Sequence, residues 1–191
     1  MKSKTRENLL DDAEIESIKS AAKDPAERFL VWTLIYTGMR ISELIHMRDS
    51  WLDWDKSLIR IPESQACSCS ECKTKGEVWK PKNRQSARSI PIVPEARQPL
   101  QDFFSKHASV MPTIPNRVAA YEIIRFLGRR AKIKHRVFPH SLRGTFATLL
   151  AAKDFNSFEI MSLLGWRSAK TADHYIQLSA YRVIKAVEQK W

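Results

Sequence analysis

The stretch PHSLRGTFATLLAAKDFNSFEIMSLLGWRSAKTADHY, residues 139–175, decides how this chain reads. Its apolar spacing predicts helices over 141–153, 157–164 and 169–178. Pro139 suits a helix start near His140. His140 and Arg143 are three residues apart, so their side chains share one face. An imidazole, a guanidinium and a helix N-terminus together favour a phosphate. Gly165 closes the Leu163-Leu164 helix end and lets Trp166 project from a turn. An indole N–H only donates, so it can reach an oxyanion. Tyr175 follows nine residues later. Taken singly, each feature has an ordinary reading: a solvated HxxR face, and two core aromatics.

Outward from this stretch the chain stays mostly helical. Asp11 can cap a helix through Lys19, with Glu14 at the capping-box position. Asp24-Pro25 opens a second helix, with apolar mass from Phe29, Trp32, Leu34, Ile35 and Tyr36, and Gly38 fits its stop. A short helix over Arg40 to Met47 would bury Ile41, Leu44 and Ile45. That leaves Arg40 and Glu43 together on another face, where the ordinary reading is a surface ion pair. Residues 57–61 and 88–92 read as strands of a long hairpin decorated by a polar insert at about 63–80. Pro94 opens a helix to about His107, 108–115 reads as a loop, and 116–131 as a helix. A last helix, 180–190, carries Val183, Ile184 and Val187 on one face. The expected fold is mainly α with a small antiparallel β-sheet (α+β), in a single domain spanning 1–191.

Composition bounds the function. The 191 residues carry a net charge of +11, with 43% hydrophobic and 28% charged residues. That balance suits a globular core and raises the expectation of a polyanionic partner. No apolar run approaches the roughly 18 residues of a membrane span, and MKSKTRENLLDD lacks the apolar segment of a signal peptide. Residence in the cytoplasm is therefore expected. Neither GxGxxG nor GxxxxGK[ST] occurs, so no nucleotide is expected. No carboxylate cluster has the spacing of a metal-dependent nuclease.

Thr37-Gly38-Met39-Arg40-Ile41-Ser42-Glu43-Leu44, a hairpin lysine, His140-xx-Arg143, Leu163-Leu164-Gly165-Trp166 and Tyr175 occur here in one order. This ordered set resembles the catalytic domain of the tyrosine recombinase (phage integrase) family, from about Asp11 to Tyr181. The resemblance implies that family's catalytic-domain fold. It also implies site-specific cleavage and rejoining of DNA through a 3′-phosphotyrosine, without metal or ATP. By this resemblance Tyr175 is the nucleophile, Arg40 the first catalytic arginine and Glu43 its supporting acid. His140 and Arg143 form the HxxR pair, and Trp166 stands where most members have His. The run Pro81-Lys82-Asn83-Arg84-Gln85-Ser86-Ala87-Arg88-Ser89-Ile90-Pro91 is similar to the family hairpin and places the catalytic lysine at Lys82, with Lys80 as second choice. His174 and Tyr181 lack the nine-residue spacing.

The implied partners are double-stranded DNA and further copies of the chain, in a tetrameric synapse. Full-length members usually carry an N-terminal core-binding domain, which residues 1–10 cannot supply, so either an excised catalytic domain or a naturally minimal protein is expected. A type IB-like topoisomerase or telomere resolvase shares the chemistry. A non-catalytic DNA-binding protein on the same fold is the reading from a different class.

Cys67, Cys69 and Cys72 form CxCxxC, and the insert resembles Cys-rich hairpin inserts of some archaeal integrases. Thiolates at this spacing can hold structural zinc, but three of them leave a four-coordinate site one ligand short. Glu71 is too close in the chain to serve comfortably, and His46 or His107 would have to fold back. The other reading is a reduced loop with reactive thiols.

Overall fold

The structure is a computed structural model describing residues 7–190, with side chains described through Ala180 and at Val187. Local caps start the first helices. Before α1 (Asp12–Ala21), the Asp11 carboxylate accepts the Glu14 N–H at 2.8 Å and Glu14 accepts the Asp11 N–H at 3.1 Å. Asp24 caps α2 (Pro25–Thr37) by accepting the Glu27 N–H at 2.9 Å, while the Glu27 carboxylate accepts the Lys23 N–H at 2.7 Å. Helix α2 is the central element. Phe29, Leu30, Leu34 and Ile35 are fully buried in it. Each such side chain contributes about 1.5–3 kcal/mol of transfer free energy. The helix packs on α5 (Pro94–Phe104) and on α7 (Pro139–Ala152), and Phe29 stacks on Phe103 at 4.1 Å.

Helix α2 ends at Gly38, whose φ of 58° is left-handed. A side chain there would be strained and would collide with Leu164 and Phe146. The turn leads into α3 (Ile41–Ile45). Here the structure departs from the expected helix face. Glu43 is fully buried while Ile41 is only half-buried. Cationic partners across the fold, described below, bring the carboxylate inside.

Two small sheets replace the single one expected. β1 (Leu52–Asp53), β2 (Leu58–Ile61) and β5 (Arg88–Pro91) form an antiparallel sheet in the order β1-β2-β5, with Ile59 opposite Ile90. β1 has two residues, too few to show alternation in a sequence. The insert between β2 and β5 has its own structure: β3 (Gln65–Ala66), the single turn α4 (Ser70–Lys73) and β4 (Val78–Trp79), with β3 and β4 paired. No helix or strand falls in 108–115, as expected.

Helices α6 (Arg117–Arg130), α7, α8 (Ser157–Leu164) and α9 (Ala169–Lys190) complete the chain. The two expected terminal helices are one, α9, because neither Gly nor Pro interrupts 169–190. The proposed apolar face of Val183 and Ile184 lies outside the described side chains; Val187 is exposed. Helix α9 packs on α7 and α8. There Phe146, Leu150, Ile160, Leu164, Ala172 and Tyr175 form a second apolar cluster beside the main core. Among the described residues, no helix is long and apolar enough to cross a membrane.

Candidate active site

Arg40, Lys82, His140, Arg143, Trp166 and Tyr175 line one cleft of about 520 Å³. They come from the N-cap of α3, the turn before β5, the first turn of α7, the turn after α8 and the second turn of α9. Glu43 lies beneath them, with no exposed surface.

Main-chain carbonyls at helix ends aim the two arginines. Arg40 donates from Nη2 to the Gly165 carbonyl at 2.7 Å, and from Nη1 to Glu43 Oε1 and Ser86 Oγ, each at 2.7 Å. Arg143 donates to the carbonyls of Gly38 and Leu164. The C-termini of α2 and α8 therefore each hold a guanidinium, as helix dipoles favour. Gly165, like Gly38, is left-handed at φ 59°. The two glycine caps thus hold the arginines crosswise: the arginine just after Gly38 reaches Gly165, and Arg143 reaches Gly38.

Glu43 fixes more than one cation. Its oxygens also pair with Arg88 Nη1 and Nη2, both at 3.3 Å. Arg88 in turn donates from Nε to the Leu163 carbonyl at 2.6 Å, joining β5 to α8. Burial pushes the Glu43 carboxyl up, but Arg88 first, then Arg143 and Arg40, hold it below the ordinary carboxylate value. Sequence reasoning missed Arg88 as a member of this network. Its place in the family hairpin and the strand alternation of 88–91 are the signals that could have found it.

Three guanidiniums thus share one carboxylate. Burial and then the charge of Arg40 pull Arg143 down to about 9, against the opposing pull of Glu43. The cluster is short of negative charge, and an anion in the cleft would supply it. His140 stands exposed at the edge of the cleft. Desolvation, then the charges of Arg143, Lys82 and Arg40, depress its pKa, so the neutral ring is favoured. Lys82 is exposed and faces the cleft, whereas Lys80 lines a separate depression with Glu63 and Arg84. Ser86, which accepts from Arg40, donates to Asn83 at 2.7 Å and so ties the Lys82 turn to the first arginine.

Trp166 and Tyr175 stack at 5.3 Å with their planes 23° apart, and Arg143 lies over the Trp166 ring at 5.8 Å. Tyr175 is 8% exposed. It is both a member of the second apolar cluster and a wall of the cleft. The core-aromatic reading and the functional one therefore describe the same ring.

Residues 8–182 match the phage integrase family profile. The chain belongs to that family. Related proteins include a tyrosine recombinase XerA of Saccharolobus solfataricus, 25% identical over 88% of this chain and 52% of the relative. A tyrosine recombinase XerC of Corynebacterium glutamicum is 27% identical over 88% of this chain and 54% of its own length. The chain spans about half to two thirds of the length of the curated relatives it matches. Among solved structures, a XerA recombinase superposes with TM-score 0.73 at 23% identity, over 95% of this chain and 62% of that one. The catalytic domain of bacteriophage HP1 integrase gives 0.61 at 19% identity, over 94% and 93%. The fold is that of the tyrosine recombinase catalytic domain, mainly helical with small antiparallel sheets.

The cysteines lie away from the cleft. Sγ of Cys67, Cys69 and Cys72 and a ring nitrogen of His46 are all within 4.8 Å of one another. Of the two histidines considered for a fold-back, His46 is the one that meets the cysteines. Glu71 instead pairs with Lys75 at 3.1 Å and Arg117 at 3.3 Å.

Proposed function

We propose that this chain cleaves and rejoins DNA strands site-specifically, through a phosphotyrosine intermediate on Tyr175. The supporting observation is the cleft itself: two arginines, a lysine, a histidine, an indole and a phenol from separate elements converge where negative charge is lacking. Arg40 and Arg143 bind the non-bridging oxygens of the scissile phosphate, whose charge grows in the transition state, and the Trp166 N–H adds a neutral donor. Tyr175 attacks the phosphorus. A 3′-phosphotyrosine forms as the bond to the 5′-oxygen breaks. His140 takes the phenolic proton and Lys82 protonates the departing oxygen. A 5′-hydroxyl of a partner strand reverses these steps and frees Tyr175. Glu43 touches no reacting atom; it positions Arg40.

The reaction uses no metal, nucleotide or other cofactor, because the guanidiniums supply the charge stabilisation that a divalent ion gives in other phosphoryl transfers. Any zinc on Cys67, Cys69 and Cys72 belongs to structure. In this reading the partner is double-stranded DNA in the cytoplasm. Recombination also requires four copies of the chain on paired sites.

A nicked suicide duplex tests the proposal. Wild-type protein is expected to form an SDS-resistant covalent adduct. Tyr175→Phe is expected to form none while still binding DNA. An adduct with the Phe variant would remove Tyr175 as nucleophile.

A further inference from the structure

We propose that His46, Cys67, Cys69 and Cys72 form a closed zinc site that fastens the Lys82-bearing hairpin to the helix carrying Arg40 and Glu43. The metal half of this inference stands on the cluster alone. The consequence for Lys82 rests on the recombinase reading.

The spacing is that of one metal ion. With Zn–S near 2.3 Å and Zn–N near 2.0–2.1 Å, the N···S edge of a tetrahedron is about 3.6 Å. His46 Nε2 lies 3.6 Å from Cys69 Sγ and 3.5 Å from Cys72 Sγ. A simple thiol–imidazole hydrogen bond explains this less well. One ring nitrogen has a single lone pair, yet two sulfurs approach it equally.

The histidine is already set in the ligating tautomer. Its Nδ1 lies 2.8 Å from the Ser42 carbonyl, which can only accept, so Nδ1 carries the proton. Nε2 then turns its lone pair to the sulfurs. Outer hydrogen bonds of this kind orient metal-bound imidazoles. Trp79 stacks on the ring at 5.3 Å. Cys69 Sγ also accepts the Cys72 N–H at 3.4 Å, which suits a thiolate. His46, Cys67 and Cys72 are buried, and a cleft of about 380 Å³ bordered by His46, Cys67 and Cys69 gives the ion an entry path.

Zinc would add to ties the insert already has: Trp79 packs on Trp51 at 5.3 Å, and Gln65 accepts from the Trp51 indole N–H and donates to the His46 carbonyl. The insert's strands β3 and β4 have two residues each. A hairpin of this size is marginal without further support. Zinc would join it to His46, directly after α3 and three residues past Glu43. On the other side, β4 ends at Trp79, three residues before Lys82. The ion would therefore set the distance between the arginine end of the cleft and its lysine.

Metal content of protein purified without chelator is the first measurement. About one zinc per chain is expected, and cobalt substitution should give the strong visible bands of a tetrahedral thiolate site. Cys69→Ser and His46→Gln should each lose those bands. Less than about a tenth of an equivalent of zinc without a tetrahedral cobalt spectrum overturns the metal site, and iron in its place overturns zinc as the occupant. The second measurement compares two suicide substrates before and after zinc removal. Stripping is expected to slow cleavage of an ordinary phosphodiester by at least about tenfold. A 5′-phosphorothiolate, whose leaving group needs no proton, should be cut at nearly the loaded rate, and added zinc should restore the phosphodiester rate. Equal loss on both substrates overturns the positioning of Lys82. If zinc-loaded wild-type protein forms no adduct with either substrate, the recombinase reading and the Lys82 consequence fall while the metal site stands.

Discussion

His140 shows what single side chains settle in this cleft. Its depressed pKa keeps the ring neutral in the free protein at pH 7, which is the form a base requires. The sign follows: activity that needs the neutral ring is present above the His140 pKa and is lost as pH falls through it. The acidic limb of a kcat/KM profile for strand cleavage should thus have its midpoint below the ordinary value of about 6.5. His140→Asn should remove that limb, and a midpoint above 6.5 would contradict the role. Position supports the motif in separating Lys82 from Lys80, since only Lys82 lines the cleft. Lys82→Ala should cut phosphodiester cleavage by roughly 10²–10⁴-fold. A 5′-phosphorothiolate should rescue it; absence of rescue would point to another acid.

At the scale of elements, the glycine caps carry the design. Gly38→Ala would place a side chain in the left-handed region and drive it into Leu164 and Phe146. Left-handed strain of about 1–2 kcal/mol and overpacking of about 1–3 kcal/mol predict a loss of about 2–5 kcal/mol, read from the urea midpoint. Cleavage should fall too, because the Gly38 carbonyl holds Arg143. Much at this scale was legible in the sequence. Asp11, Asp24 and Gly38 announce helix ends through local chemistry, and residues within one turn specify them. What was not legible depends on distant partners. Glu43 looks like a surface acid until Arg88, 45 positions away, is folded against it. His46 meets Cys72 from 26 positions away. The order of the motifs pointed to the cleft residues, but only the fold showed that Tyr175 is also core.

For the whole molecule, the charge of +11 divides between the cleft and its surroundings. Arg40, Lys82 and Arg143 line the cleft, where the proposed reaction would place one phosphate. Arg129, Lys132, Lys134 and Arg136 are exposed around the end of α6 and suit sequence-independent contacts with flanking phosphates. DNA affinity should therefore fall steeply with salt, with a log–log slope of about −0.9 per phosphate neutralised. Fluorescence anisotropy across a salt series measures that slope; a flat response would exclude a charge-driven grip.

The crosswise capping of the two arginines also bears on safety. The hydrogen bond from Arg40 to Gly165 joins positions 125 apart, and that from Arg143 to Gly38 joins positions 105 apart. Neither arginine is aimed until both ends of the domain have come together. In the recombinase reading, a chain whose two ends have not yet met would hold every proposed cutting residue without aiming its arginines, so DNA would be spared until the domain has closed.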